Sequence, residues 1–234
     1  MVNSRFVIQR PEWLPYVLPM AVFLGLTSLE GMLPKEDGGE VAPALYAVAY
    51  AVKALLVSIA VVACRSVWGD YSPRPSIRVV AVAVFLGLCV TALWVTVPSP
   101  ALPLLGSSGD RVGFDPNRLS GPVRYLFLAA RFYGLVLLVP FVEELFWRSF
   151  LMRWVIDQDF TRVSVGTVTP VAAGVVSALF ALAHPEWLPA LLTGLIWAGL
   201  LWKTKSLSAC FVSHLVANLA LGVYILAKGA WGYW

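Results

Sequence analysis

Charge is what this 234-residue sequence has least of. Asp, Glu, Lys and Arg together make up 13%, about half the share in ordinary globular domains. Hydrophobic residues make up 59%, against roughly 45–50% in such domains. So few polar groups cannot cover the surface of a soluble fold of this size. The composition excludes that class and points to an all-α, polytopic membrane helix bundle. Cysteine is also scarce. Cys64, Cys89 and Cys210 are an odd, scattered set, which gives neither a disulfide framework nor a CxxC metal signature. There is no Gly-rich phosphate loop and no basic run, so the net charge of +4 does not argue for nucleic acid. It fits cationic loops on one side of a membrane. No internal repeat or low-complexity tract occurs.

A membrane span needs about 20 mainly apolar residues. The stretches 14–33, 42–64, 77–97, 124–147, 168–184, 187–202 and 207–227 qualify, for about seven spans, or eight with a different division. The first is too long for the roughly 7–15-residue apolar core of a signal peptide and reads as a retained span. The fifth and sixth are short and separated only by "HPEW", as in a tight helical hairpin. The segment "PSPALPLLGSSGDRVGFDPNRLSGP" (98–122) reads as an extramembrane loop. It divides a motif-free N-terminal part, 1–123, from a C-terminal helical core, 124–234. Lys and Arg in the loops favour a cytoplasmic N-terminus, about nine against five, with the C-terminus on the other side if the spans number seven.

Against this background the few ionisable residues inside spans stand out. Lys53 is expected to pair with a carboxylate on a neighbouring helix or to reach a headgroup. Arg131 is expected to snorkel, and Glu30 to be interfacial. The stretch "LVPFVEELFWRSFLMRW" holds Glu143, Glu144 and Arg148 together. On a helix, residues four apart differ by about 40°, and those five apart by about 140°. Glu144 can therefore pair with Arg148, whereas Glu143 is left without that partner. Trp147, one turn on, is placed to shield Glu143. A lone carboxylate in a weakly polar place suits general-base chemistry; an ion-pair network tying helices together fits the same residues.

Histidine is rarer still, with two in the chain. His184 closes "SALFALAH", and His214 lies in "SLSACFVSHLVANLALG" with Asn218 one turn later, so that an imidazole and a carboxamide share one face. Several chemistries lack their residues. There is no H-E-x-x-H zinc motif, although His184, His214 and one glutamate could still form a His2Glu site. Ser177 and Ser213 have no G-x-S-x-G-like context, and no Asp lies within a span. A carboxylate and an imidazole that could activate water remain, with an imidazole and an amide that could hold an oxyanion.

These residues resemble a known family. "EELFWR" fits E-E-x-x-x-R, "FALAH" fits F-x-x-x-H and "HLVAN" fits H-x-x-x-N, in order, each in an apolar span. The C-terminal half, about Leu126 to Tyr224, is similar to the CPBP family of CAAX-protease and bacteriocin-processing proteins, which includes the type II CAAX prenyl endopeptidases. Its overall look is nearest to bacterial CAAX-protease-related proteins, some of them associated with exosortase systems. The resemblance implies an intramembrane glutamate protease that needs no metal or other cofactor. Glu143 would be the base that activates water, and His184 would bind or polarise that water. His214 and Asn218 would hold the oxyanion, with Glu144 and Arg148 orienting the site. It further implies membrane lipid surroundings, a protein or peptide substrate with or without a lipid modification, and a bacterial inner-membrane location. Two other readings stay open at this level: a non-catalytic immunity or binding protein, and a proton-coupled transporter with a Glu/His relay. The mechanism also requires His184 and Glu143 to meet. That is met if the fourth helix runs on to about Ile156, or if the fifth is short; no breaker between Phe141 and Ile156 favours the first.

Overall fold

The computed structural model describes residues 11–35, 41–100 and 113–234. Residues 101–112 of the expected extramembrane loop, and the N-terminal Arg5 and Arg10, lie outside them. The described chain is helical, with seven helices of more than twelve residues: α1 (Leu14–Glu30), α2 (Pro43–Ala63), α3 (Ile77–Thr96), α4 (Gly121–Ile156), α5 (Pro170–Leu182), α6 (Trp187–Thr204) and α7 (Leu207–Lys228). Four of them, α2, α3, α4 and α7, are long and apolar enough to cross a membrane. α1 and α5 are apolar but shorter. The expectation of about seven spans therefore reduces to seven helices, of which four have spanning length and composition.

Local chemistry sets the helix starts. Pro43 and Pro170 open α2 and α5, at a position where the missing N–H costs nothing. Ser76, Thr169 and Ser206 cap α3, α5 and α7 by accepting from Val79 N, Ala172 N and Ala209 N, each satisfying one otherwise unpaired donor. α7 ends at Gly229, whose φ of 64° is left-handed, a conformation only glycine adopts freely.

α4 is the structural spine. It runs 36 residues without a break and contains two widened, π-helical stretches, Tyr133–Leu138 and Glu144–Leu151. Pro140 lies between them. A proline inside a helix has no N–H to give, and its ring crowds the carbonyl four residues back. That carbonyl belongs to Val136, within the first wide stretch, where the looser turn accommodates the ring.

The outer faces of these helices are apolar. Val82, Phe85 and Leu88 on α3 and Val52, Leu55 and Ile59 on α2 are all exposed. Such continuous apolar surface is not sustained in water and fits a lipid-facing belt. Inside, α3 lies along α7 and α5 along α6. Gly87 makes the first approach possible, since a Cβ there would stand 2.4 Å from the Ser213 carbonyl. Gly194 does the same for the second, against Ser177. Thr91 of α3 donates to Ala217 O of α7 at 3.0 Å, which fixes α7 in register beside His214.

The connector 65–76, expected as a plain linker, is part of the packed structure. Arg65–Tyr71 is a short 3-10 helix. Asp70 accepts from Tyr16 Oη at 3.0 Å, from Arg153 at 3.0 Å and from Ser149 Oγ. Arg153 also donates to Ser149 O at 2.5 Å. This buried network clamps the end of α4 to α1 and the connector. Tyr71 donates to Phe141 O at 2.7 Å, two residues before Glu143. Burial, reinforced by the Glu144 charge, pushes its hydroxyl well above the usual phenol range, so it stays a donor.

Candidate active site

Glu143 stands 22 residues from the start of α4 and 13 from its end, so it lies several turns from either terminus. α5 is 13 residues long, about 20 Å at 1.5 Å per residue, short of a hydrocarbon core of about 30 Å. His184 follows directly, its N–H bonded to Ala181 O at 3.0 Å. The long fourth helix and the short fifth helix thus both contribute to bringing the two residues together. They border one cavity of about 550 Å3, together with His214 and Asn218.

The adjacent glutamates have opposite surroundings. Glu144 is fully buried. Its Oε1 accepts from Arg148 at 3.3 Å and from His214 Nδ1 at 3.0 Å. The Arg148 guanidinium also lies over the rings of Phe180 and Trp197, at 4.6 and 4.9 Å, which suits a desolvated cation. Glu143 is 5% exposed. It makes no ion pair among the described residues, and its Oε2 has no hydrogen-bond partner. Trp147, expected to shield it, instead packs edge-to-face on Phe180. Phe180 and Trp197 are among the rings that border the cavity, and Trp147 is not.

The imidazoles are oriented by their second nitrogens. His184 Nδ1 lies 2.7 Å from Phe180 O. A carbonyl only accepts, so Nδ1 carries a proton and a neutral His184 offers Nε2 as an acceptor. Trp94 of α3 packs edge-on against this ring at 5.7 Å and is tied to Thr193 of α6 at 2.9 Å. His214 Nδ1 donates to the Glu144 carboxylate, and its ring lies 4.2 Å from that of Trp197. Trp197 is fixed in turn by its bond to Ser213 Oγ at 3.0 Å. Asn218 Nδ2 donates to Leu135 O at 2.8 Å, inside the first wide stretch of α4. That bond sets which end of the amide is which and leaves a second N–H free.

Four charged residues from outside the motifs border the same cavity: Glu30, Lys53, Arg131 and Glu186. Lys53 pairs with Glu30 at the end of α1, which is the cross-helix carboxylate pairing that the sequence allowed for Lys53. Arg131 does not snorkel. It is 9% exposed, with its guanidinium over Tyr50 at 4.6 Å and Trp234 at 5.2 Å. Among the described residues, no three His, Cys, Asp or Glu side chains are grouped to hold a metal ion.

Comparison with known proteins gives one match. Residues 125–220 match the model of the family described as type II CAAX prenyl endopeptidase Rce1-like. No curated protein and no solved structure matches the chain. The matched segment holds the E-E-x-x-x-R, F-x-x-x-H and H-x-x-x-N residues, so over residues 125–220 this helical chain is similar to the Rce1-like endopeptidases.

Proposed function

We propose that the chain is an intramembrane endopeptidase that hydrolyses a peptide bond of a membrane-associated protein or peptide with water activated by Glu143. The observation that carries this reading is the buried, unpaired Glu143 carboxylate on the same cavity as His184, His214 and Asn218. The neighbouring Glu144 absorbs the local cations, so Glu143 is free to take a proton.

The steps follow from the donors and acceptors in place. A water enters between Glu143 and His184. The His184 Nε2 lone pair accepts one of its protons as a hydrogen bond and orients it. Glu143 removes the other proton as the water oxygen attacks the carbonyl carbon. The carbonyl oxygen becomes an oxyanion, held by the free Asn218 N–H and by His214 Nε2. With Nδ1 already given to Glu144, His214 donates at Nε2 when both ring nitrogens carry a proton. Glu143 then passes its proton to the amide nitrogen as the oxyanion re-forms the C=O and the C–N bond breaks, which releases an amine and a carboxylic acid. No step uses a metal.

The test is cleavage of a membrane-protein extract by the purified chain in lipid vesicles, compared with Glu143→Gln. New peptide termini should form with the native chain alone and persist in a strong chelator. Cleavage by Glu143→Gln at the native rate contradicts the role of Glu143, and loss of cleavage on chelation contradicts the metal-free chemistry.

A further inference from the structure

We infer that Pro140 is a positioning residue for the oxyanion. By withholding an N–H from the Leu135 carbonyl, it reserves that carbonyl for Asn218 and so fixes which end of the Asn218 amide faces the cavity. This rests on the peptidase reading above.

The hydrogen-bond ladder of α4 leaves one carbonyl over. In the wide stretch Tyr133–Leu138 each N–H reaches five residues back, and Val139 N–H closes the stretch on Gly134 O. The next rung in that register would run from residue 140 to Leu135 O. Residue 140 is proline, which has no N–H. Leu135 O is thus passed over by Val139 and receives nothing from Pro140. A carbonyl left so away from water is costly, and in a membrane helix a neighbouring helix can supply the donor. The donor here is Asn218 of α7, whose Nδ2 lies 2.8 Å from Leu135 O. Gly222, one turn further along α7, permits the approach. A Cβ there would stand 3.1 Å from the Phe132 ring and 3.4 Å from Leu135 Cδ2.

That bond decides the polarity of the site. The last torsion of an asparagine is broad and roughly two-fold. The two ends of its amide are alike in shape but opposite in polarity, since Oδ1 accepts and Nδ2 donates. Asn218 borders the cavity with His214, one turn earlier on α7. Turned one way, the amide presents an N–H that would hold an oxyanion. Turned the other way, it presents an oxygen that would repel one. A carbonyl only accepts, so Leu135 O selects the Nδ2 end, engages one N–H and leaves the second for the cavity. His214 is held from α4 as well, through Nδ1 and the Glu144 carboxylate at 3.0 Å. Both proposed oxyanion donors on α7 are therefore set by α4, one through a carboxylate and one through a carbonyl that proline keeps out of the main-chain ladder.

Alanine in place of Pro140 would restore the missing donor. Its N–H would close the five-residue rung on Leu135 O and compete with Asn218 for it, which frees the amide to turn. Proline inside a helix is less favourable than alanine. Position 140 thus carries a residue that weakens the helix and serves the site.

The first measurement needs no substrate. The full chain in detergent micelles is labelled with nitrogen-15 at its three asparagines, Asn3, Asn117 and Asn218, and Asn218→Ala assigns the Asn218 signals. In the native chain one Asn218 side-chain N–H should exchange with deuterium about tenfold more slowly than the other. Pro140→Ala should erase the difference. Pro140→lactic acid, an ester link that also lacks the N–H, should keep it. The second measurement is cleavage of a membrane-protein extract in lipid vesicles. Pro140→Ala should cleave about tenfold more slowly or worse, approaching Asn218→Ala, with its melting temperature unchanged or raised. Pro140→lactic acid should recover most of the rate, and Pro140→Ala should add nothing to Asn218→Ala. Unchanged Asn218 signals in Pro140→Ala overturn the anchoring. Cleavage by Pro140→Ala at the native rate, a lowered melting temperature, or a loss additive with that of Asn218→Ala overturns the positioning role. A native chain that cleaves nothing overturns the peptidase reading, while the exchange rates still decide the anchoring.

Discussion

The two ends of the cavity handle buried charge differently. At the motif end, the Glu144 carboxylate takes both Arg148 and His214, and the group left over is an acid, Glu143. At the far end, Glu30 takes Lys53, and the Arg131 guanidinium lies over the Tyr50 and Trp234 rings with no side-chain carboxylate partner among the described residues. A bundle that needed charges only as struts between helices would match them all, as the Asp70–Arg153 cluster below the cavity does. The leftover acid is where chemistry is expected.

The first way to break this comparison is at the leftover acid. Glu143→Gln should reduce cleavage by about 10³-fold or more, within the range of general-base effects, with the melting temperature unchanged or raised. Glu144→Ala should do the reverse. It strands Arg148 and His214 in a dry interior and should destabilise the fold by about 3–5 kcal/mol, seen as early thermal unfolding in detergent. Adjacent residues would then separate into one that matters for turnover and one that matters for folding. Equal melting points for the two variants would contradict that separation.

Smaller perturbations sharpen it. Gly87→Val places side-chain carbon against the Ser213 carbonyl and should cost about 1–3 kcal/mol, together with activity, because α7 carries His214. Asn218→Ala removes the donor to Leu135 O. Its stability cost should be about 1 kcal/mol, while cleavage falls further than that if its second N–H serves the oxyanion. A parallel fall in both would reduce Asn218 to a strut.

Much of the motif end was legible in the sequence, because its information is local. The four-residue spacing set Glu144 with Arg148 and left Glu143 alone. The absence of a breaker after Phe141 extended α4. The far end was not legible. Apolar windows do not tell a charge that faces lipid from one that faces a cavity, so Arg131 was expected to snorkel. Helical periodicity also assumes a constant turn. The wide stretch Tyr133–Leu138 breaks that assumption between Arg131 and Glu143, which border one cavity. Pro140 was the available signal, as a proline inside an otherwise unbroken apolar helix. The division into spans was less legible for a related reason: α5 is apolar throughout yet is 13 residues long, shorter than the apolar stretch in the sequence.

The most direct test of the central claim compares protein termini in membranes of cells carrying the native chain with those carrying Glu143→Gln at equal abundance, read by mass spectrometry. The account predicts a small set of new termini that appear with the native chain and vanish with the variant, each next to an apolar run. Identical termini in the two membranes, with both chains folded and inserted, would contradict catalysis by Glu143.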